Sequence, residues 1–178
     1  MKIWFDTEFI EDGKTIDLLS IGMVRDNGST FYLENAEADH SKASPWVREN
    51  VLPHLRKDCG LWAVSRDQMR RGIVEFVGVN PEFWAYYGAY DWVALCQLFG
   101  TMMDLPKGWP KFVRDVKQFC ADCGDPRLPE QTSAKHDALA DAIWTKEAWE
   151  FLRKKQEEAN GDALYEAFLR GLSAGEEG

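Results

Sequence analysis

The chain holds 178 residues, 45% of them hydrophobic and 13% aromatic, which is enough apolar material for one well-packed domain and too little length for two. A formal net charge of −9 excludes a protein that grips duplex nucleic acid by broad phosphate neutralisation, so any nucleic-acid contact is expected to be local. No apolar run reaches the ~20 residues that a bilayer-spanning helix needs.

Ile3-Trp4-Phe5-Asp6-Thr7-Glu8-Phe9 reads as a buried strand, rich in aromatic and β-branched residues and closed by the Asp12-Gly13 turn. Successive side chains of a strand alternate faces, so Asp6 and Glu8 project to one side and Thr7 to the other. Residues 16–24 form a second apolar run, Asn27-Gly28 signals a hairpin, and residues 30–33 alternate again, which gives three antiparallel strands. Ser44 caps a helix with Pro45 at its first position and Trp46, Val47, Val51 and Leu55 along it; Pro53 shortens or kinks it. Ser65 opens a longer helix whose inward stripe is Met69, Ile73, Val74 and Phe76 or Val77.

Phe83-Trp84-Ala85-Tyr86-Tyr87 reads as a buried strand that ends at Gly88, and a helix follows with Asp91 in its first turn and Val93, Ala94, Leu95, Leu98 and Phe99 in its core. After a Pro- and Gly-rich loop, a short run reads as a fifth strand before a helix over residues 115–123. The last major helix starts around His136 and runs to about Glu158 with Leu139, Ile143, Trp149 and Leu152 inward; residues 162–172 form a weaker helix, and 173–178 fray. The expected organisation is one α/β domain over 1–158, with a mixed five-stranded sheet of three antiparallel and two parallel strands flanked by helices, and a helical extension and tail over 159–178.

Two carboxylates held side by side, as Asp6 and Glu8 are, need a positive partner, and hard divalent cations with oxygen ligands supply it. Taken alone the pair reads equally well as surface acids at a strand end. Asp91, just after a strand and at a helix start, has the placement that open α/β sheets use for active sites, although it also simply complements the helix dipole. His136 and Asp141 are five residues apart and can face one cleft if His136 lies in the entering loop or first turn, with Ala138, Ala140 and Ala142 leaving room. Lys107, Lys111, Arg114 and Lys117 crowd one segment, with Lys135 further on, and read as a solvated face. Met1-Lys2 leads straight into the strand without the pattern of a secretory signal, so a cytoplasmic location is expected, with Cys59, Cys96, Cys120 and Cys123 as reduced thiols.

Together, Asp6 and Glu8, Asp91, and His136 with Asp141 resemble the three motifs of the DEDDh family, 3′-to-5′ exonucleases on a ribonuclease H-like fold. Within that family, Asp6-Thr7-Glu8-Phe9-Ile10-Glu11-Asp12-Gly13, the stretch from Gly88 to Leu98 and His136-Asp137-Ala138-Leu139 look most like the ribonuclease AS group, exoribonucleases that prefer adenylate-containing RNA. The resemblance implies hydrolysis of single-stranded RNA from its 3′ end to nucleoside 5′-monophosphates, and a homodimer. It implies two Mg²⁺ or Mn²⁺ ions held by Asp6, Glu8, Asp91 and Asp141, with His136 as the base. Phe9 and Ile10 are the expected packing surface for the terminal base, with Tyr90 and Trp92 beside them. A DNA exonuclease on the same scaffold and a non-catalytic binding module are the rival classes.

Overall fold

The computed structural model describes residues 1–56 and 61–175, with the side chains of the C-terminal helix described to residue 161. Cys59, the side chains of the 162–172 segment and the last three residues lie outside it. The chain builds a sheet of six strands in the order β4-β3-β2-β1-β5-β6. β1 (Lys2–Glu11), β2 (Ile16–Arg25) and β3 (Thr30–Asn35) form the antiparallel meander. β5 (Glu82–Ala85) and β6 (Arg114–Asp115) add in parallel on the free side of β1. The strand beyond the five expected is β4, Ala63–Val64, two residues parallel to β3 at the sheet's edge, too short to show an alternating pattern in the sequence.

The helices are α1 (Pro45–Asn50), α2 (Arg66–Val77), α3 (Ala89–Phe99), α4 (Val116–Asp122) and α5 (Ala138–Gly175). Their starts follow local chemistry. Ser44 Oγ accepts the Val47 N–H at 3.2 Å with Pro45 at the first position, and Ser65 and Gln68 form a reciprocal capping box. Asp137 Oδ1 accepts the N–H groups of Leu139 and Ala140 at 3.0 and 2.9 Å, which places the start of α5 at Ala138, with His136 in the entering loop. The weaker helix expected near the C-terminus is a continuation of α5, which runs unbroken past Glu158 to Gly175.

One face of the sheet carries the main core, where Ile3, Phe5, Ile21 and Met23 pack with Met69, Ile73 and Val77 of α2 and Trp92, Leu95 and Leu98 of α3. Val74 and Val93, expected inward, are exposed instead. The opposite face receives α5, whose buried stripe is Ala138, Ala142, Thr145, Ala148 and Leu152; of the expected Leu139, Ile143, Trp149 and Leu152, Leu152 is buried and Trp149 packs beside it, while Leu139 is half-buried and Ile143 is exposed. The reason is the distance of approach. A Cβ on Gly22 would lie 2.2 Å from the Ala138 carbonyl oxygen, so the start of α5 lies directly on the β2 backbone and only small side chains fit between. Further along, Trp149 meets Trp4 edge to face at 5.1 Å.

Candidate active site

Asp6 and Glu8 stand near the C-terminal end of β1 on the face that α5 covers, Asp6 opposite Gly22 and Glu8 opposite Ser20 on β2. The β1–β2 register slips just after Glu8, an irregularity of the kind that re-aims side chains beside active sites. Because Gly22 lets α5 down onto the sheet, His136 and Asp141 arrive over this strand end. Donor atoms of Glu8, His136 and Asp141 lie within 4.8 Å of one another.

Asp91 reaches the same place from the other face. β5 pairs with β1 only as far as Trp4, so the edge of β1 beyond is open, and the Thr7 N–H there donates to Asp91 Oδ1 at 2.8 Å while the Thr7 hydroxyl donates to the same oxygen at 2.6 Å. β5 itself ends at Ala85, two residues short of the expected Tyr87, and Tyr87 adopts a left-handed conformation at φ 56°. That turn feeds Gly88 directly into α3 and delivers Asp91, which is 6% exposed, to the end of β1.

Asp141 is held at both oxygens: the His136 backbone N–H donates to Oδ2 at 2.9 Å, and the Gln131 side-chain amide donates to Oδ1. His136 makes its bond from φ 64°, a strained backbone for a residue with a Cβ. Its ring meets Trp46 edge to face at 4.9 Å.

These residues line a cleft of about 490 Å³ together with Phe9, Glu11, Trp46, Tyr87 and Tyr90. Its electrostatics are one-sided. Burial first, then Asp141, Asp91 and Asp137, pushes the Glu8 carboxyl up to about 8. Burial, then Asp91, Glu8 and Asp141, raises Asp6 well above the usual carboxylate range. Burial brings Asp91 to about 6 against the lowering pull of the Thr7 hydrogen bonds, and raises Asp141 against Gln131 and the His136 N–H. Among the described residues no Lys or Arg lines the cleft. Four crowded carboxylates with no cationic side chain form an all-oxygen donor set that fits hard divalent cations such as Mg²⁺ or Mn²⁺.

The structure thus brings Asp6, Glu8, Asp91, His136 and Asp141 around one cleft. Of the four residues expected to pack on substrate, Phe9 and Tyr90 line it as a stacked pair, centroids 5.9 Å apart with 14° between planes. The other two do not. Ile10 is 3% exposed and packs with Leu19, Val47 and Val51: it shares the face of Asp6 and Glu8, but these side chains bury it. Trp92 is 8% exposed and packs on Phe5 and Phe83, one residue and about 100° around the helix from Asp91. Four further residues contribute to the site. Alternation puts Thr7 on the averted face, Tyr87 reads as the end of a strand, and Trp46 as part of a helix's apolar stripe. Gln131 lies in a loop whose local pattern carries no signal.

Residues 1–153 match the family model described as the 3′-5′ exoribonuclease Rv2179c-like domain. The chain is 46% identical over 147 residues to the 3′-5′ exoribonuclease Rv2179c of Mycobacterium tuberculosis strain H37Rv, an alignment covering 80% of this chain and 87% of that protein. The 3′-5′ exoribonuclease MT2234.1 of strain CDC 1551 matches at the same identity and coverage. The RNase domain of the yeast Pop2 protein superimposes with a TM-score of 0.51 at 12% identity, over 82% of this chain and 75% of that one, a likeness of fold.

Proposed function

The chain belongs to the 3′-5′ exoribonuclease Rv2179c-like family, and on that premise we propose that it is a metal-dependent 3′-5′ exoribonuclease that shortens single-stranded RNA to nucleoside 5′-monophosphates. The observation that carries this reading is the convergence of Asp6, Glu8, Asp91 and Asp141 with His136 about a cleft that no Lys or Arg lines among the described residues. The four carboxylates would hold two Mg²⁺ or Mn²⁺ ions, which when bound activate water and stabilise charge on the phosphate and the departing 3′ oxygen.

The chain's own groups divide the remaining work. The His136 imidazole accepts the proton of the attacking water. The water oxygen bonds to phosphorus, the bond from phosphorus to the upstream 3′ oxygen breaks, and a proton ends on that oxygen. Thr7 fixes Asp91, while Gln131 and the His136 N–H fix Asp141. The exposed rings of Tyr87 and Tyr90, with Phe9 and Trp46, offer stacking worth ~1–3 kcal/mol per base without basic surface.

Resemblance to the ribonuclease AS group supports a preference for adenylate-containing RNA and a homodimeric state. Action on RNA in the cytoplasm fits the same reading. The test is incubation of the purified protein with 3′-labelled and 5′-labelled poly(A), poly(U) and single-stranded DNA, with Mg²⁺ or EDTA. Release of AMP from the 3′ end in Mg²⁺ and silence in EDTA is expected. Faster DNA cleavage selects the DNA exonuclease, and cleavage of a circular RNA defeats the exonuclease reading.

A further inference from the structure

The acids stand at the waist of a longer trough. The cleft of about 490 Å³ adjoins a second hollow of about 430 Å³, and Asp6, Tyr86, His136 and Asp141 line both. Beyond them the second hollow continues over Glu130, Gln131, Lys135, Trp144 and Thr145. Its wall is tied down. Trp144 Nε1 donates to the Pro129 carbonyl at 3.0 Å, the Trp144 ring meets Tyr86 edge to face at 5.0 Å, and Gln131 is bonded to Asp141.

The two halves differ in charge. The first half adds Glu8, Glu11 and Asp91 to the shared acids, with no Lys or Arg. The second half holds Lys135, which among the described residues is the one Lys or Arg lining either hollow, beside a single additional acid, Glu130. Lys135 takes part in no ion pair among the described residues. A strand end crossing the waist has two unlike sides. The 3′-terminal nucleoside ends in a hydroxyl and needs stacking surface, whereas every residue on the 5′ side brings a phosphate that needs a cation.

We propose that the 3′-terminal nucleoside occupies the aromatic half of the trough, that the RNA leaves 5′-ward over the second half, and that Lys135 binds the phosphate immediately upstream of the scissile one. The assignment rests on the exoribonuclease reading and deepens it: it sets the direction of the strand and names the residue that distinguishes an oligonucleotide from an isolated diester. The opposite direction would press upstream phosphates against Glu11, the acid of that half outside the four that would hold metal, with no Lys or Arg among the described lining residues to offset it. Glu11, uncompensated by any basic side chain lining that half, likewise disfavours a 3′-phosphorylated end.

The test compares ApA with pApA, which share one scissile bond, while only pApA carries the upstream phosphate. With the wild-type protein and Mg²⁺, pApA is expected to have a kcat/KM about tenfold above that of ApA, the scale of one charge-assisted hydrogen bond. The Lys135→Gln variant should bring that ratio close to one, and Lys135→Arg should keep most of it. On longer RNA, Lys135→Gln should also flatten the slope of log KM against log salt by ~0.7, one single-strand phosphate contact. Because the ratio is the readout, a general loss of folding or of His136 geometry, which lowers both substrates alike, does not imitate the effect. A ratio unchanged in Lys135→Gln overturns the assignment, as does a wild-type protein that cleaves ApA and pApA equally. A wild-type protein that cleaves neither, and leaves poly(A) intact, removes the nuclease reading with it.

Discussion

Thr7 gives both its backbone N–H and its hydroxyl to a single oxygen of Asp91, at 2.8 and 2.6 Å. The residue that separates the two acids of β1 thus fixes a third from the opposite face of the sheet. Thr7→Val keeps the shape and removes the hydroxyl, which leaves a buried carboxylate short of one donor at a cost of about 1–3 kcal/mol. Those bonds also hold the Asp91 carboxyl down against burial, so their loss favours its protonated form. The variant should need several-fold more Mg²⁺ for half-maximal activity, read from a metal titration at constant pH, and Thr7→Ser should restore most of the wild-type curve. Wild-type metal dependence in Thr7→Val would show that Asp91 needs no such support.

Asp6 sits among the other acids, and burial first, then Asp91, Glu8 and Asp141, raises its carboxyl well above the usual carboxylate range. On the proposed function, Asp6→Asn removes a metal ligand and a repelling charge together. Activity should fall by ~10³-fold or more, since loss of metal catalysis forfeits several kcal/mol at ~1.4 kcal/mol per tenfold. The unfolding midpoint in EDTA at pH 8 should rise. A variant that folds and keeps wild-type turnover would end the metal model.

The same crowding gives the metal-free protein a defined pH dependence. Glu8 at about 8 and Asp91 at about 6 both lie above the ordinary range near 4, so the folded form holds protons that the unfolded chain has already lost. The stability these groups contribute is complete below about pH 4 and is lost as pH rises through 6 and then 8. In EDTA the thermal midpoint should therefore fall between pH 5 and 8.5. Saturating Mg²⁺ binds the ionised form and should reverse the trend. Parallel curves with and without Mg²⁺ across that range would contradict the arrangement.

Gly22 pairs with Asp6 across the sheet and leaves no space for a Cβ beneath the Ala138 carbonyl. Gly22→Ala should destabilise the fold by about 1–3 kcal/mol through overpacking. It should also cut activity beyond what stability explains, because lifting α5 carries His136 and Asp141 away from Asp6. Thermal melts and single-turnover rates at a temperature where the variant is fully folded separate the two effects.

How much of this was legible follows from which interactions are local. The acids on β1, the caps at Ser44 and Ser65 and the Asn27-Gly28 hairpin rest on neighbours in sequence, and strand alternation alone put Asp6 and Glu8 on one face. The phase of α5 was not legible, because hydrophobicity favours Leu139 and Ile143 while the buried face is set by contact with a glycine more than a hundred residues away. Adjacency to Asp91 suggests Trp92 for the cleft, but a period of 3.6 turns the next residue away; Ile10 shares the acids' face by alternation and is withdrawn only by Leu19, Val47 and Val51, which bury it. The Thr7 role depends on β5 ending early and opening the edge of β1. That is a fact about pairing, which no single strand records.

His136 allows its two candidate roles to be told apart. Its ring donor atoms lie within 4.8 Å of those of Glu8 and Asp141, close enough for a base beside the ions or for a ligand among them. As the base, His136→Ala should lower kcat by about 10²–10⁴-fold while the Mg²⁺ concentration for half-maximal activity and the Kd for RNA change little; a large rise in the Mg²⁺ requirement would make it a ligand instead. The backbone supplies a second readout. At φ 64° a residue with a Cβ pays roughly 1–2 kcal/mol that glycine avoids. His136→Gly should therefore be as inactive as His136→Ala yet melt several degrees higher, the mark of strain held in place by the Asp141 hydrogen bond for the sake of the imidazole's position. Equal melting of the two variants would mean that the left-handed turn costs the fold nothing.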